Sequence, residues 1–506
     1  MDRNEPPSPY TNGNVLESGN SDDIEPVAEP KVSLSTKAFR LCAKAFRYAS
    51  DLLRPAYFSG SADAKPCQPL RPTAWLDGLR GFAAFIVYMN HHQHWARGIR
   101  AHEILESGFG YQGRYYFAAS PFFRTFFTGG HFAVAVFFVI SGYVLSTKPL
   151  QLIQAGEYTR LGDNVGSALF RRWMRLYIPL MAVTLVFVTV CNLFGIWVEY
   201  VQWKGSFADE LWSWYCEIKN FSFIYNTGPG EPAPSLPFHF HSWTIPLEFR
   251  GSVVIYTTLM AFSRCRKNAR LLCELGLTSY FSCIVDGAYY SMFVAGLLLC
   301  DLDLLAAKGE LPTWMTWLES HKKAIFYTLF VVSMYLSGVP SLDTNINKLA
   351  QMPGWYYLSL LKPQAVLDYT SFYLFVASVS LIAAIPRLPW LKAFLEIRFN
   401  QYLGHISYSL YLVHGPVLWT IGDRLYCAVG YTRKTQFLPL QGWIDAFPLS
   451  KAGPLGFEPA ILLPQLILIP LTFWVAEVVT KVFDENSVKF ARWVYKMTLE
   501  VPVIEA

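Results

Sequence analysis

Apolar segments long enough to cross a lipid bilayer recur along this chain, and they restrict its fold more than any other feature. A transmembrane helix needs about 20 consecutive, mostly apolar residues. The lipid interior offers no water to backbone polar groups, so segments of this kind form helices. The sequence therefore predicts an all-α, polytopic membrane protein with about ten transmembrane helices. The candidate segments lie near residues 74–95, 131–148, 176–196, 243–263, 270–285, 287–303, 324–340, 366–386, 400–420 and 459–482.

The composition agrees with a membrane protein and argues against several other classes. Hydrophobic residues make up 53% of the chain and charged residues only 16%, whereas soluble domains are about 25% charged. The net charge of +5 is modest and forms no dense basic run outside the N-terminal region, so we expect no nucleic-acid partner. The nine cysteines contain no Cys-x-x-Cys pair; we therefore expect neither a disulfide framework nor a metal site.

The two ends of the chain differ from the apolar region between them. Residues 1–35 are polar and rich in proline, serine and asparagine, which predicts a disordered cytosolic tail. Residues 36–72 include a segment with an apolar face and a basic face, as in an interfacial helix on a membrane, although a solvated helix also fits. Residues 73–485 form the predicted transmembrane domain, and residues 486–506 a cytosolic C-terminal tail.

Lysine and arginine are distributed unevenly between the two sides of the predicted topology. They concentrate in the terminal regions and in the even-numbered loops. Because positive charge accumulates on the cytosolic side, we expect both termini to be cytosolic. We expect a multi-pass protein of an endomembrane, the endoplasmic reticulum, with the plasma membrane as the alternative.

The first predicted span contains charged residues where an apolar helix is expected. Arg80 and His91 are eleven residues apart, which places them on one helical face about 16 Å apart. A charge that faces lipid is costly, so this face should point into the helix bundle. The alternative is a structural ion pair between Asp77 and Arg80, with His91 at the membrane interface.

Three further spans place polar side chains at similar depths. A single intramembrane histidine is usually an ordinary packed residue, but several on different helices predict a shared cavity. These groups are His131, Ser141, His241, Glu248, Arg250 and His414.

A basic cluster precedes the third span. Arg172 and Arg175 are three residues apart, so they are neighbours on a helix surface. Paired guanidinium groups suit bidentate binding of phosphates. The alternative is ordinary positive charge that anchors the third span at the cytosolic face.

Five motifs together resemble the acyltransferase-3 family of integral membrane O-acyltransferases, in particular its fungal members. They read "LDGLRG…H", "FFVISGY", "RRWMRLYIP", "SWTIPLEF" and "ISYSLYLVHGP". Their order and spacing extend from residue 73 to the last span. The resemblance implies that the chain is an enzyme that transfers an acyl group to a hydroxyl.

The resemblance also implies roles for five residues. Arg80 and His91 match the family's Arg-x10-His pair, Arg172 and Arg175 its Arg-x-x-Arg, and Glu248 its buried glutamate. Acyl transfer to an alcohol needs a base and a stabiliser of the oxyanion.

Each of these residues then has an expected task. His91 would be the base because imidazole titrates near neutrality, and Arg80 would stabilise developing charge or the thioester carbonyl. Glu248 would orient a histidine or balance Arg80. Arg172 and Arg175 would hold the phosphates of acyl-CoA, the co-substrate, and no tightly bound cofactor is expected.

Several alternatives remain open at this point. A covalent intermediate on Ser141 is one. Among fungal relatives the expected acceptor is a small molecule such as a terpenoid or polyketide, and a glycan or glycolipid is the second choice. A ten-span transporter or flippase, or a membrane scaffold, would use a similar set of helices without acyl transfer.

Overall fold

The computed structural model describes residue 53 and residues 70–98, 101–105, 115–225, 234–341 and 343–499. Two compact units, Met1–Leu53 and Arg54–Ala506, divide the chain, and every element below belongs to the second. The predicted tail over 1–35 and nearly all of the predicted interfacial segment over 36–72 lie outside the described residues. Within the described part of the chain the regular structure is helical and no strand is formed, which confirms the all-α prediction.

Twelve helices of more than ten residues form the described part of the fold. They are α1 Ala74–Arg97, α2 Gly130–Ala155, α3 Tyr158–Leu193, α4 Phe207–Phe221, α5 Thr244–Phe262, α6 Lys267–Ser279, α7 Ala288–Ala307, α8 Lys322–Leu336, α9 Tyr369–Ala384, α10 Arg398–Val417, α11 Pro459–Val479 and α12 Glu485–Thr498. Shorter α-helices are Ala101–Leu105, Arg124–Thr128, Thr313–Thr316, Ile346–Gln351, Tyr356–Ser359, Pro389–Leu395 and Asp423–Ala428. The 3-10 turns are Phe117–Ala119, Phe240–Trp243, Trp317–His321, Ile385–Arg387, Lys434–Gln436 and Gln441–Trp443, and the π turns are Tyr280–Ile284, Leu418–Gly422 and Thr480–Asp484.

A helix occupies the position of each of the ten predicted spans. Helices α1 to α3 and α5 to α11 coincide with them in order. Among the residues that the structure describes, five helical segments are long and apolar enough to cross a membrane, and this supports a membrane protein. They are Gly130–Ala155, Tyr158–Leu193, Ala288–Ala307, Tyr369–Arg387 and Pro459–Thr498.

The predicted fifth span is the shortest of the ten helices and carries charge. Helix α6 has 13 residues and continues into a π turn. Its Arg270 is buried and donates to both carboxylate oxygens of Asp301 on α7, at 2.7 and 2.9 Å. Gln154 of α2 donates to the same carboxylate at 2.9 Å. Buried charge is tolerated here because it is paired and hydrogen-bonded.

Glycines allow the closest helix contacts around the site. A Cβ atom on Gly81 of α1 would lie 2.2 Å from the backbone nitrogen of Gly404 on α10. A Cβ on Gly142 of α2 would lie 1.9 Å from the carbonyl oxygen of Phe293 on α7. Small residues let membrane helices approach in this way. The first of these contacts fixes α1, which carries Arg80 and His91, against α10, which carries His414.

Candidate active site

A cavity of about 570 Å³ lies between α1, α2, α3, α5, α10 and the segment from α11 to α12. Four of the five predicted site residues line it, namely Arg80, Arg172, Arg175 and Glu248. Both charged and apolar side chains form the wall of the cavity. Other lining residues with polar groups are Ser141, Thr244, His405, Ser407, Tyr408, Tyr411, Thr480, Asp484, Glu485, Lys489 and Arg492.

The first cluster in the cavity wall joins α2, α3 and α5 through Glu248. The Nη2 of Arg172 donates to Oε1 of Glu248 at 2.5 Å, and the Nε of Arg172 donates to the Ser252 hydroxyl at 2.9 Å. The Ser141 hydroxyl donates to the same Oε1. Both members of the ion pair are mostly buried, with side-chain exposures of 13% and 17%. The partner of Glu248 is therefore Arg172, not a histidine, which differs from the expected orienting role.

Arg80 of α1 lies along the same cavity wall, beside the N-terminal part of α10. Its Nη2 donates to the Gly404 carbonyl oxygen at 2.9 Å and lies 3.5 Å from the Asp77 carboxylate. The ion pair with Asp77 considered from the sequence is thus present, although Asp77 also pairs with Arg71 at 2.7 Å. Gly404 precedes His414 by ten residues on α10, which is about 15 Å along the helix. The Arg80 guanidinium therefore lies at the opposite end of the site from the histidines.

Three histidines from different parts of the chain meet beyond the cavity wall. The Nδ1 of His91 and the Nε2 of His414 are 2.8 Å apart, and their rings are parallel within 6°. The His241 ring stacks on the His91 ring, with centroids 3.6 Å apart and planes within 4°. His241 and His414 are buried and His91 is partly buried. Three of the four histidines singled out from the sequence therefore come together, whereas His131 is exposed near the start of α2.

Tyr411 connects the cavity with this histidine group. It lines the cavity, its ring centroid lies 5.7 Å from that of His414, and its hydroxyl donates to the His241 carbonyl oxygen. The Thr244 hydroxyl, also in the cavity wall, is 2.6 Å from the Tyr411 hydroxyl. Neither residue was predicted from the sequence. Tyr411 precedes His414 by three positions on one helix, and that spacing is the signal that could have identified it.

The three histidines could supply nitrogen ligands to a metal, since one ring nitrogen from each lies within 4.8 Å of the others. Their ring geometry fits a different arrangement. His91 and His414 form an in-plane hydrogen bond, and the His241 ring lies face to face with His91. In-plane lone pairs of two stacked rings do not point at one common atom. The observed geometry is that of a hydrogen-bonded imidazole pair with a third ring stacked on it.

His92 belongs to a separate buried network. Its Nδ1 is 2.8 Å from the Tyr426 hydroxyl, and Gln465 of α11 donates to that hydroxyl at 2.7 Å. Gln465 also accepts from the Tyr88 hydroxyl at 2.7 Å. Adjacent residues on a helix point about 100° apart, so His91 and His92 serve different neighbours.

Comparisons with known proteins identify the family. A family model described as an acyltransferase domain, acyltransferase-3, matches residues 73–449. O-acetyltransferase PaAT-1 of Phomopsis amygdali is 28% identical over 479 residues, which cover 88% of this chain and 89% of that protein. Acyltransferase clz18 of Cochliobolus lunatus and acyltransferase R4 of Phoma sp. are 22% and 21% identical, each over 58% of this chain and 69% of their own length. No solved structure shows significant similarity. With its family motifs assembled around one cavity, the chain belongs to the acyltransferase-3 family and is an O-acyltransferase.

Proposed function

We propose that this enzyme moves an acetyl group from acetyl-CoA to a hydroxyl of a small molecule of secondary metabolism, such as a terpenoid or polyketide. The observation that carries the proposal is the presence of two chemical environments at one site, one in the cavity wall and the other beyond that wall beside Tyr411. We call the surroundings of Arg80, Arg172 and Arg175 the arginine end. We call the group of His91, His241 and His414 the histidine end.

The two ends match the two ends of an acyl-CoA molecule. Its phosphates suit guanidinium groups, and its thioester lies at the far end of the flexible pantetheine arm. Arg175 lines the arginine end without a direct hydrogen bond or ion pair among the described residues, so it is available to a phosphate. Arg172 would contribute the guanidinium nitrogen that Glu248 and Ser252 leave unused. The arm would then run along the cavity toward Tyr411 and the histidine end.

His91 is the proposed general base at the histidine end. It would take the proton of the acceptor hydroxyl as the oxygen attacks the thioester carbonyl carbon. The separation of about 15 Å along α10 between Gly404 and His414 keeps Arg80 from an oxyanion formed beside His91. We therefore propose that Arg80 acts in donor binding, and this replaces the oxyanion role expected from the sequence. Glu248 would hold Arg172 in place.

The name of the Phomopsis amygdali relative supports acetyl as the acyl group and a fungal setting. The decisive experiment is deletion of the gene in its source organism, followed by metabolite mass spectrometry. We expect loss of one product and accumulation of a compound lighter by one acetyl group, restored by the intact gene but not by His91→Ala. Accumulation of an unacetylated glycan or glycolipid would replace the proposed acceptor class. An unchanged acetylation pattern with altered export of a compound would indicate a transporter instead.

We also propose that all ten helices α1 to α3 and α5 to α11 cross the membrane, with both termini in the cytosol of an endomembrane or plasma membrane. The uneven distribution of lysine and arginine supports this topology. Tags at residue 20 and at the C-terminus should be accessible from the cytosol, while a tag near residue 225 should be protected until the membrane is opened. Opposite accessibility of the two termini would contradict an even number of spans.

A further inference from the structure

We propose that His414 is the positioning residue of the reaction: it fixes the tautomer of His91 and shares the positive charge that His91 gains when it takes the proton of the acceptor hydroxyl. This inference rests on the proposed function, because it assumes that His91 is the base. It adds a residue of α10 to the site, and this residue takes the place that a carboxylate holds in many catalytic triads.

The hydrogen bonds assign the protons of the two rings. The Nδ1 of His414 lies 3.2 Å from the Leu410 carbonyl oxygen. A carbonyl only accepts, so this Nδ1 carries the proton and Nε2 of a neutral His414 is an acceptor. That Nε2 lies 2.8 Å from Nδ1 of His91, which must therefore be the donor. The Nε2 of His91 is left with a free lone pair, as a general base requires.

His414 is the group that is positioned to orient the His91 ring. Within the part of the chain that the structure describes, no carboxylate forms a hydrogen bond or ion pair with His91 or His414. Glu248, the carboxylate that the sequence suggested for this role, is occupied by Arg172 and Ser141. His414 is 1% exposed, so water does not compete for its Nε2. The stacked His241 ring fixes the plane in which the His91 ring lies.

The reaction then proceeds with protons and bonds in balance. The acceptor oxygen bonds to the thioester carbonyl carbon while its proton passes to Nε2 of His91. The resulting imidazolium shares its Nδ1 proton with Nε2 of His414 through their hydrogen bond, so the positive charge is spread over the two rings until that proton returns fully to His91. As the tetrahedral intermediate collapses, the carbon–sulfur bond breaks and the Nε2 proton of His91 passes to the CoA thiolate. The products are the acyl ester and CoA, and both histidines return to their starting state.

The test compares His414→Gln with His414→Phe in detergent-purified full-length enzyme. The assay supplies acetyl-CoA and, as the acceptor source, a solvent extract of the gene-deletion strain. Phenylalanine keeps the ring but has no acceptor, so kcat should fall about 10²-fold with an unchanged KM for acetyl-CoA. Glutamine places its carbonyl oxygen near the position of Nε2 and should stay within about tenfold of the wild type.

A double variant adds a readout that a merely structural residue would not produce. If His414 acts only through His91, then His91→Ala with His414→Phe should be no slower than His91→Ala alone. Thermal unfolding of each variant provides the control, and rates are compared per folded protein. Multiplying defects, or equal losses in His414→Gln and His414→Phe, would contradict the assignment. So would stoichiometric bound zinc whose chelation abolishes activity. A wild-type enzyme that transfers no acetyl group would instead overturn the proposed function.

A different observation leads to a second proposal, which also rests on the proposed function. Helix α12 lies beyond the family match at residues 73–449, yet its Lys489 and Arg492 line the arginine end of the cavity. They are three residues apart and therefore neighbours on the helix surface. We propose that they bind phosphate groups at the nucleotide end of acyl-CoA.

The ion pairs of this region support the assignment. Arg492 has no ion pair among the described residues, and Lys489 contacts only the Asn486 side chain, at 3.5 Å. Asp484 and Glu485 also line this end and offset part of the positive charge. Arg172 and Arg80 are paired to carboxylates, those of Glu248 and Asp77, whereas Arg175 has no ion pair among the described residues. Unpaired cations around an open cavity suit a phosphate, which can come from CoA or from a lipid headgroup.

The experiment separates these two phosphate sources. Lys489→Gln with Arg492→Gln should raise the KM for acetyl-CoA about tenfold and leave the KM for acetyl-pantetheine, which has no phosphate, unchanged. Lys496→Gln is the control, since Lys496 is an exposed cation of the same helix outside the cavity lining. Equal effects on both thioesters would contradict phosphate binding. An effect seen only in nanodiscs that contain anionic lipid would assign the pair to lipid headgroups.

Discussion

The arginine end and the histidine end differ in how they hold ionisable side chains inside a membrane protein. At the arginine end, full charges are present, and the most buried of them, on Arg172, is neutralised by Glu248 at 2.5 Å. At the histidine end, His91, His241 and His414 meet, and no carboxylate of the described residues is in hydrogen-bonding contact with them. A permanent charge inside a membrane protein must be paired or reach water. Neutral rings avoid that cost and can still become charged for the short life of an intermediate.

The same rule holds away from the cavity. Arg97 is buried and pairs with Glu458 at 2.6 Å, and Arg270 pairs with Asp301 at 2.7 Å. These pairs connect distant segments of the chain and leave no charge for a substrate. Unpaired titratable groups are therefore the feature that distinguishes the proposed site from the structural polar clusters of the fold.

Removal of the proposed base should have the largest effect, and this effect should be on the rate of acetyl transfer. His91→Ala should lower acetyl transfer by about 10² to 10⁴-fold while the protein remains inserted. His92→Ala is the neighbouring control; it breaks the network with Tyr426 and should affect stability more than the rate per folded protein. Transfer is measured in membranes that contain equal amounts of each variant. Near-normal activity of His91→Ala, or equal rate losses in the two variants, would contradict the role of His91 as the base and indicate that α1 is structural.

Breaking the ion pair between Arg172 and Glu248 at the arginine end should have the next largest effect, and this effect should be on stability. Arg172→Gln leaves Glu248 without its cation, and removal of one partner of a buried ion pair costs about 3–5 kcal/mol. Arg172→Gln with Glu248→Gln removes both charges and should unfold at a temperature closer to that of the wild type. The measurement is thermal unfolding in detergent. Losses that simply add in the double variant would show that the two charges do not depend on each other.

The contact between α1 and α10 predicts an effect at both ends of the cavity. Gly81→Ala places a methyl group 2.2 Å from the Gly404 nitrogen, and such overpacking costs about 1–3 kcal/mol. It should also displace His91 from His414, and displacements of about 1 Å can cost about 10²-fold in rate. Gly162→Ala on α3 is the matched control because a Cβ there meets open space. Equal behaviour of the two variants would mean that the helices do not approach as closely as described.

Removal of the Tyr411 hydroxyl, which connects the cavity with the histidine end, should have the smallest effect on the rate. Tyr411→Phe removes two hydrogen bonds, one to the His241 carbonyl oxygen and one with the Thr244 hydroxyl, each worth about 1 kcal/mol. We expect a rate loss of no more than about tenfold. Tyr408→Phe removes a comparable bond to the Leu176 carbonyl oxygen and should leave the rate close to that of the wild type. A larger loss of rate in Tyr408→Phe than in Tyr411→Phe would indicate that the reacting groups do not lie near Tyr411.

Helical periodicity accounts for what the sequence could predict. It gives the position of a residue along its helix and the face on which it lies, so the ten helical segments and the inward direction of the face that carries Arg80 and His91 could be predicted from it. It does not give the register between helices, which depends on contacts such as Gly81 with Gly404. For this reason the sequence could not show that Glu248 pairs with Arg172 or that His91 pairs with His414. The place of α12 beside the cavity could not be predicted from the sequence for a similar reason, because it depends on tertiary packing.

The contact between Gly81 and Gly404 has a consequence for how substrates enter. It locks α1 and α10 together backbone to backbone, so these two helices should move as one rigid body. Any widening of the cavity must then come from the opposite walls, formed by α3, α5 and the segment from α11 to α12. Because His91 and His414 stand on the rigid side, their hydrogen bond should persist through each cycle of opening and closing.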